Sequence, residues 1–475
     1  MLCAVPDPSL RDQRRHLVGK WHQGFYSPQF LPTRRGFLSF FGFLGGCEDH
    51  ITQRVCGTNR CRAPGRSRRF KVVDLWRDER PARGENGTMG TTLFINEATA
   101  IVRRHRLSSG PLFLMLALQD VHSPYQVEES YASLYNHTAP LQRTWSGMVT
   151  RMDACVGQLA TSLRKARMWQ TTLFAFVSDS EPPAPARVRH YFPRTRLPCL
   201  ADGSPVCGWQ PGGTNAPLRG GKGSMWEGGV RTVGLINGGW LPKARKGTAL
   251  RGLAHIVDLH ATLCAIASGG SLDGCPPDAG PAPMDSLSLR GWLLGEAAQS
   301  PRNWIVHGHT RSSEDSVHCW NASFVGAIRS GDYKLLVGPA KQATWFGSFS
   351  PNATIPRSRS LQALRAGATG GMQTISCDER PCLFNIRDDP TEHVDLAEQQ
   401  PERVGALLKR FHELEGQMHP PPDEFWTWKN STNDYCAAAS THGDIIGPWR
   451  HGPMMTWRTP TNRSCMVAQW SPWQG

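Results

Sequence analysis

Apolar residues in the middle of the chain recur in two alternating rhythms. Ile95 to Arg106 has helical spacing and leads into the apolar run Leu112 to Leu118, which has the length of a strand. Met148, Met152, Cys155, Leu159 and Leu163 then mark one stripe of a second helix, ending near Trp169. Leu173-Phe174-Ala175-Phe176-Val177 reads as another strand of the buried type, Thr232 to Asn237 as a further strand, and Val257 to Ala267 as a helix. Helices alternating with short apolar strands predict an α/β domain with a parallel sheet covered on both faces. Ligands in open sheets of this kind sit beyond the carboxyl ends of the strands, where His122 and Asp179 stand.

After about residue 305 the rhythm changes. Ser323 to Ile328, Tyr333 to Val337 and Leu383 to Ile386 are short β-type runs separated by turns. Val404, Leu407, Leu408 and Phe411 then mark an amphipathic helix behind Pro401-Glu402. Strands in quick succession with one helix predict a smaller α+β domain. The expected division is therefore 1–305 and 306–475, with a linker or long surface loop at Ser268 to Pro283 and an irregular tail from Pro420.

Composition narrows the class. The chain has 475 residues, 39% of them hydrophobic, with 17 tryptophans, which suits a large globular core plus a second unit. The run Leu112 to Leu118 is too short to cross a bilayer, and the charges from Asp7 to Arg15 interrupt any signal-peptide core. Against that, 14 cysteines and sequons at Asn86, Asn136, Asn321, Asn352, Asn430 and Asn462 favour a lysosomal or extracellular protein of the secretory pathway, with its true amino terminus missing. The spacing of Cys56 and Cys61 suits a short disulfide loop. Net charge is +14, with a basic cluster at Arg60, Arg62, Arg66, Arg68 and Arg69 that is read first as a solvated loop. No aromatic interleaving or zinc-finger spacing accompanies it, which argues against nucleic acid.

The candidate chemistry lies in three separated loops. Pro217-Leu218-Arg219-Gly220-Gly221-Lys222-Gly223-Ser224-Met225-Trp226-Glu227-Gly228-Gly229-Val230-Arg231 is glycine-rich around one lysine, which suits close backbone approach to a small anion. Gly19-Lys20-Trp21-His22 and Gln119-Asp120-Val121-His122-Ser123-Pro124 add further cationic and imidazole groups. Taken alone, Lys20 or Lys222 is more often a surface lysine, and His22 or His122 an ordinary polar side chain. Together they outline one anion pocket assembled from loop ends.

With these residues in view the chain resembles the sulfatases, most closely the arylsulfatase B-like (N-acetylgalactosamine-4-sulfatase) branch. Gly19 to Gly24 with Leu31 to Phe37, Leu116 to His122, Pro217 to Arg231 and Leu383 to Pro390 carry the resemblance, in family order over roughly residues 15 to 415. It implies an alkaline-phosphatase-like α/β domain, a mixed or parallel sheet sandwiched by helices, with a smaller carboxy-terminal α+β domain on an antiparallel sheet. It also implies hydrolysis of sulfate esters by a formylglycine beside a calcium ion, with a sulfated small molecule or sulfated glycan as partner. By position, Lys20, His122 and Lys222 would hold sulfate oxygens and His22 would orient or deprotonate the hydrated formylglycine. Asp179, with Ser180 as a weaker candidate, would ligate calcium.

The chain departs from that pattern. The formylglycine motif Cys-X-Pro-X-Arg is absent, and Cys61-Arg62-Ala63-Pro64-Gly65-Arg66 only resembles it. The family's early Asp-Asp pair is also missing, and Asp388-Asp389 lies in the wrong domain to replace it. Ser178-Asp179-Ser180 is followed by Glu181-Pro182-Pro183-Ala184-Pro185 and an insertion carrying Cys199 and Cys207. Phe30 stands where the resemblance expects a cysteine to pair with Cys3. Calcium takes six to eight oxygen ligands, so weak or absent calcium binding is expected. The favoured expectation is a sulfatase lacking its first strand and nucleophile motif through amino-terminal truncation. The alternative is a non-catalytic protein that binds sulfated glycans. A phosphate-ester or phosphonate hydrolase with another nucleophile ranks last.

Overall fold

The computed structural model describes residues 14–56, 60–61, 70–105, 110–179, 215, 217–222, 224–269, 285–310, 325–338, 377, 380–415 and 431–448. Ser180, Cys3, Cys199, Cys207, most of the Arg60–Arg69 cluster, most of the Ser268–Pro283 segment and the sequons at Asn321, Asn352, Asn430 and Asn462 lie outside them. Among the described residues no helix is long and apolar enough to cross a membrane.

The first sheet is built on β1 (Arg14–Lys20), which pairs in parallel with β2 (Ser39–Phe43) on one side and with β3 (Leu112–Ala117) on the other. A hairpin of Trp76–Arg77 with Arg80–Pro81 extends it antiparallel beyond β2, which makes the sheet mixed. Gly19 meets Gly42 and Ala117 across the two ladders. A Cβ on Gly19 would lie 1.9 Å from the Ala117 carbonyl oxygen, so only glycine lets the three strands close up there. Helix α1 (Gly90–Arg104) puts Leu93, Phe94 and Ile101 against Val18, Phe41 and Phe43. Helix α2 (Pro140–Lys165) adds Cys155, Leu159 and Leu163 behind α1 and β3. The opposite face of the sheet is covered by Leu31, Phe37 and, from the far end of the chain, Ile445.

The next strands depart from expectation. β4 (Phe174–Val177) pairs antiparallel with β5 (Gly234–Asn237) in a separate two-stranded sheet. It is not a buried parallel strand: Val177 is 40% exposed and Leu235 52%. Apolar composition predicts burial only where neighbours cover both faces, and no third strand pairs with β4 or β5 among the described residues. Helix α3 (Asp258–Ala267) follows.

The second sheet is fully antiparallel: β6 (Trp304–Thr310), β7 (Val325–Ser330), β8 (Tyr333–Val337) and β9 (Cys382–Asn385), in sequence order. Helix α4 (Pro401–Glu415) packs Leu407, Phe411 and Leu414 on one face, against Ile328, Leu335 and Leu383. Helix α5 (Ser431–Thr441) and the residues after it return to the first sheet. There Trp76 donates its indole N–H to the Ile446 carbonyl at 2.6 Å, and Cys436 bonds Cys61 of a separate two-stranded ladder. The expected Cys56–Cys61 loop is therefore wrong: Cys56 pairs with Cys47, and Cys61 reaches across the fold. Spacing alone proposes nearby partners, whereas packing in space selected distant ones. The first sheet is thus mixed and the second antiparallel, the two-sheet arrangement expected of the chain.

Candidate active site

Three strand ends and one glycine loop converge. Lys20 is the last residue of β1, and His22 follows in the loop tied back by Trp21 N–H to Phe43 O (2.9 Å) and His22 N–H to Leu44 O (3.1 Å). His22 has φ 48°, a left-handed conformation uncommon outside glycine, and a Cβ on Gly46 would lie 2.8 Å from its Nε2. The imidazole thus rests on bare backbone. Strain of this kind persists where surrounding contacts impose it and is concentrated at functional sites.

The support beneath His22 is acidic. Asp74, fully buried, accepts Leu44 N–H at 2.8 Å and Gly45 N–H at 2.7 Å, and burial lifts its carboxyl to about 6 against the pull of those two donors. Next along, Glu48 is fully buried, and neither of its carboxylate oxygens meets a hydrogen-bond partner among the described residues. Burial first, then the nearby Asp74 and Asp49 charges, drives its pKa well above the usual carboxylate range. Sequence reading missed both residues. The Gly45-Gly46 pair just before Glu48 was the available signal, and nothing local marked Asp74.

His122 follows β3. Its backbone N–H bonds Gln119 O (2.9 Å), its Nδ1 lies 2.7 Å from Ser123 O, and its carbonyl lies 3.2 Å from His50 Nε2. The Nδ1 contact makes Nδ1–H the donor and leaves Nε2 as an acceptor in the neutral ring. Asp179 is exposed, just past β4.

Lys222 sits near the tip of a loop that folds tightly on itself. Gly228 N–H donates to Arg219 O (2.7 Å), Gly229 N–H to Trp226 O (2.7 Å), and the Ser224 hydroxyl to Gly221 O (2.7 Å). A Cβ on Gly228 would stand 2.5 Å from Arg219 O, and one on Gly229 2.5 Å from Gly221 O, which explains the glycines by close approach.

Electrostatics ties the pieces together. Burial lowers the Lys20 ammonium pKa and Lys222 adds to that, while Asp179 opposes both. His22 and His122 are each held below the usual imidazole value by burial, then by Lys20 and Lys222, again with Asp179 opposing; at His122 the Ser123 hydrogen bond also opposes. The structure thus brings Lys20, His22, His122, Lys222 and Asp179 into one electrostatic neighbourhood.

By position Asp179 is the residue that would face a calcium ion, with Ser180 outside the described residues. Asp179 is one carboxylate, and among the described residues no group of three His, Cys, Asp or Glu side chains has metal-holding geometry. Cys61, the cysteine of the look-alike motif, is consumed in its disulfide.

The Sulfatase family profile matches residues 9–269, and the chain belongs to the sulfatase family. Arylsulfatase J from Mus musculus is 29% identical over 91% of this chain and 64% of its own length. N-acetylgalactosamine-6-sulfatase from Sus scrofa is 24% identical over 83% of this chain and 64% of that protein, so the chain spans under two thirds of either relative. Among solved structures, PsFucS1 sulfatase from Pseudoalteromonas sp. superposes with a TM-score of 0.55 at 20% identity, covering 86% of this chain and 71% of that one. BT4656, solved with its substrate D-glucosamine-2-N,6-O-disulfate, gives 0.51 at 13%, covering 85% and 79%. At such identities these likenesses speak for the fold alone.

Proposed function

We propose that Lys20, His122 and Lys222 hold the oxygens of a sulfate group, carried by an aryl sulfate or a sulfated glycan, in a site built for sulfate-ester hydrolysis. The single observation that supports the reading most is the convergence of two lysines and two histidines, from three separate chain segments, in one electrostatic neighbourhood. As an S–O bond breaks, negative charge grows on the leaving oxygen and the sulfate oxygens. Ammonium Nζ groups and an imidazole aimed at those atoms stabilise that state more than the ground state. His22, kept neutral at pH 7 by burial and the lysines, is the group suited to accept or relay a proton.

A formylglycine, where a chain carries one, supplies the attacking oxygen. The sequence contains no Cys-X-Pro-X-Arg, so none of its cysteines stands in the context that yields that group. A second reading, in which the chain binds sulfated glycans without turning them over, is supported by the basic residues Arg60, Arg62, Arg66, Arg68 and Arg69. We also place it in the secretory pathway, lysosomal or extracellular, which the disulfides Cys47–Cys56, Cys61–Cys436 and Cys377–Cys382 support and which exposed Asn86 and Asn136 suit as glycosylation sites. The division into units near residue 305 belongs to the same proposal, with residues 431–448 serving the first sheet.

The test pairs binding with turnover. Lys222→Ala is expected to weaken affinity for inorganic sulfate about tenfold or more, the worth of a charge-assisted hydrogen bond. Parental affinity in Lys222→Ala sinks the pocket reading. Turnover of a chromogenic aryl sulfate by the full chain separates hydrolysis from binding alone.

A further inference from the structure

The loop that carries Lys222 is anchored on the second sheet. Alternation along β8 sends Tyr333, Leu335 and Val337 toward α4 and sends Lys334 and Leu336 to the opposite face. That face receives the loop. Trp226, fully buried, packs with Ala327, Leu336 and Phe384, and Met225 presses on β6, where a Cβ on Gly308 would lie 2.5 Å from its methyl carbon.

A buried charge network surrounds this plug. Lys334 Nζ donates to Glu227 Oε1 at 3.1 Å and to Glu392 Oε1 at 2.9 Å, and all three side chains are essentially inaccessible to solvent. Arg329 Nη1 donates to Glu227 Oε2 at 3.2 Å. Two further bonds reach the loop's backbone and flank: Glu227 N–H donates to Glu392 Oε2 at 2.7 Å, and Arg219 Nη1 to the Glu392 carbonyl at 3.1 Å. The Arg219 guanidinium carbon also lies over the Trp226 ring, 3.6 Å from its centroid. Glu392 reaches this position from a left-handed turn, φ 57°, shaped by Asp389, whose carboxylate accepts His393 N–H (2.7 Å) and Val394 N–H (2.8 Å).

Burying such charges is a poor route to stability, because desolvation offsets the Coulomb attraction and apolar residues of similar size often do as well. What the network adds is direction. An apolar plug tolerates sliding and rotation, whereas a carboxylate bonded at once to an ammonium and a backbone N–H does not. The bonds grip the loop at Arg219 and Glu227, three residues before and five after Lys222.

We propose that Glu227, Lys334 and Glu392 are positioning residues that fix the register of the Lys222 loop, so that the second sheet sets the geometry of the anion pocket. This deepens the functional proposal and rests on its reading of Lys222 as a sulfate contact. Displacement of a contact by an ångström is enough to lose most of its value.

The experiment is a double-mutant cycle on the full chain, titrated with inorganic sulfate at constant ionic strength. Lys334→Met is expected to weaken sulfate binding about tenfold, by removing the well-placed Lys222 contact. The double variant Lys222→Ala/Lys334→Met should then bind no more weakly than Lys222→Ala alone, since one lost contact cannot be lost twice. A purely structural Lys334 would lower the unfolding midpoint and leave the affinity of the folded protein at the parental value, and that result overturns the proposal. Additive effects of the two substitutions overturn it as well. Glu392→Gln, which leaves one acceptor oxygen for the two donors Glu227 N–H and Lys334 Nζ while keeping side-chain volume, is judged by the same criteria and decides the matter if Lys334→Met fails to fold. If Lys222→Ala itself binds like the parent, the pocket reading fails and the positioning role goes with it. If only the Lys334 and Glu392 variants bind like the parent, the pocket stands and the positioning role is refuted.

Discussion

His22 and His122 are basic side chains placed where two ammonium groups disfavour their protonation. Burial and the charges of Lys20 and Lys222 hold both below the ordinary imidazole value, so both are neutral at pH 7. A depressed folded-state value means the unfolded chain binds more protons between the two values. This contribution to stability is therefore present above about pH 6.5 and is lost as pH falls through the lowered values. Sulfate reverses the local field: its charge favours the protonated ring, so binding takes up a proton. Affinity for inorganic sulfate should accordingly strengthen as pH falls from 7.5 toward 5, by up to about 1.4 kcal/mol per pH unit for each proton taken up. Titration calorimetry in buffers of different ionisation enthalpy measures that uptake directly. A His122→Gln variant should lose its share, and pH-independent affinity in the parent would show that the imidazoles do not face the anion.

The strand ends show how finely the site depends on backbone approach. Gly19 has φ 100°, and its missing side chain makes room for Ala117 O, while Gly42 gives way in turn to Gly19 O, also at 1.9 Å from a Cβ built there. Gly19→Ala must push β3 away from β1 immediately before Lys20. We expect a loss of about 3 kcal/mol or more in stability and weaker sulfate binding in whatever folds, measured by denaturant unfolding and titration. Unchanged values for both would mean the ladders relax more easily than their packing indicates. The lysine and histidines were legible in sequence as short motifs, and α1, α2 and β8 as periodic runs. β1 was not, because Arg14, Arg15 and His16 open it and leave only Leu17-Val18 as an apolar signal. Lys334 was equally hidden. Its alternation with Leu336 is plain in the sequence, yet a lysine on a core-facing position makes sense only once Glu227 and Glu392, distant in the chain, are seen beside it. The antiparallel partner of β4 was hidden for the same reason: local pattern carries no information about which strand lies alongside.

Across the whole molecule, both ends of the fold bear on the same few loops. The second sheet grips the Lys222 loop, and α5 with the segment after it closes on the first sheet and its flank through the Cys61–Cys436 disulfide, the bridge Val73–Ile445 and the Trp76–Ile446 hydrogen bond. Val73 adjoins Asp74, whose carboxylate holds the backbone beneath His22. The disulfide joins residues 375 apart in sequence, so it removes more freedom from the unfolded chain than the nine-residue Cys47–Cys56 link. Replacing Cys61 and Cys436 together by alanine should cost about 2–5 kcal/mol. Because those residues sit in their own small core with Val72, Ala439 and Ile446, the loss should be felt first at residues 431–448. Hydrogen exchange should therefore speed up at Val73, Ile446 and α5 while β7 and β8, buried under α4, keep their protection. If β7 and β8 exchange faster to the same degree, the two sheets unfold as one unit and the tail does not act as a separate clasp. If only the tail loosens and sulfate affinity falls with it, the clasp reaches His22 through Asp74, and the anion pocket is held from both ends of the chain.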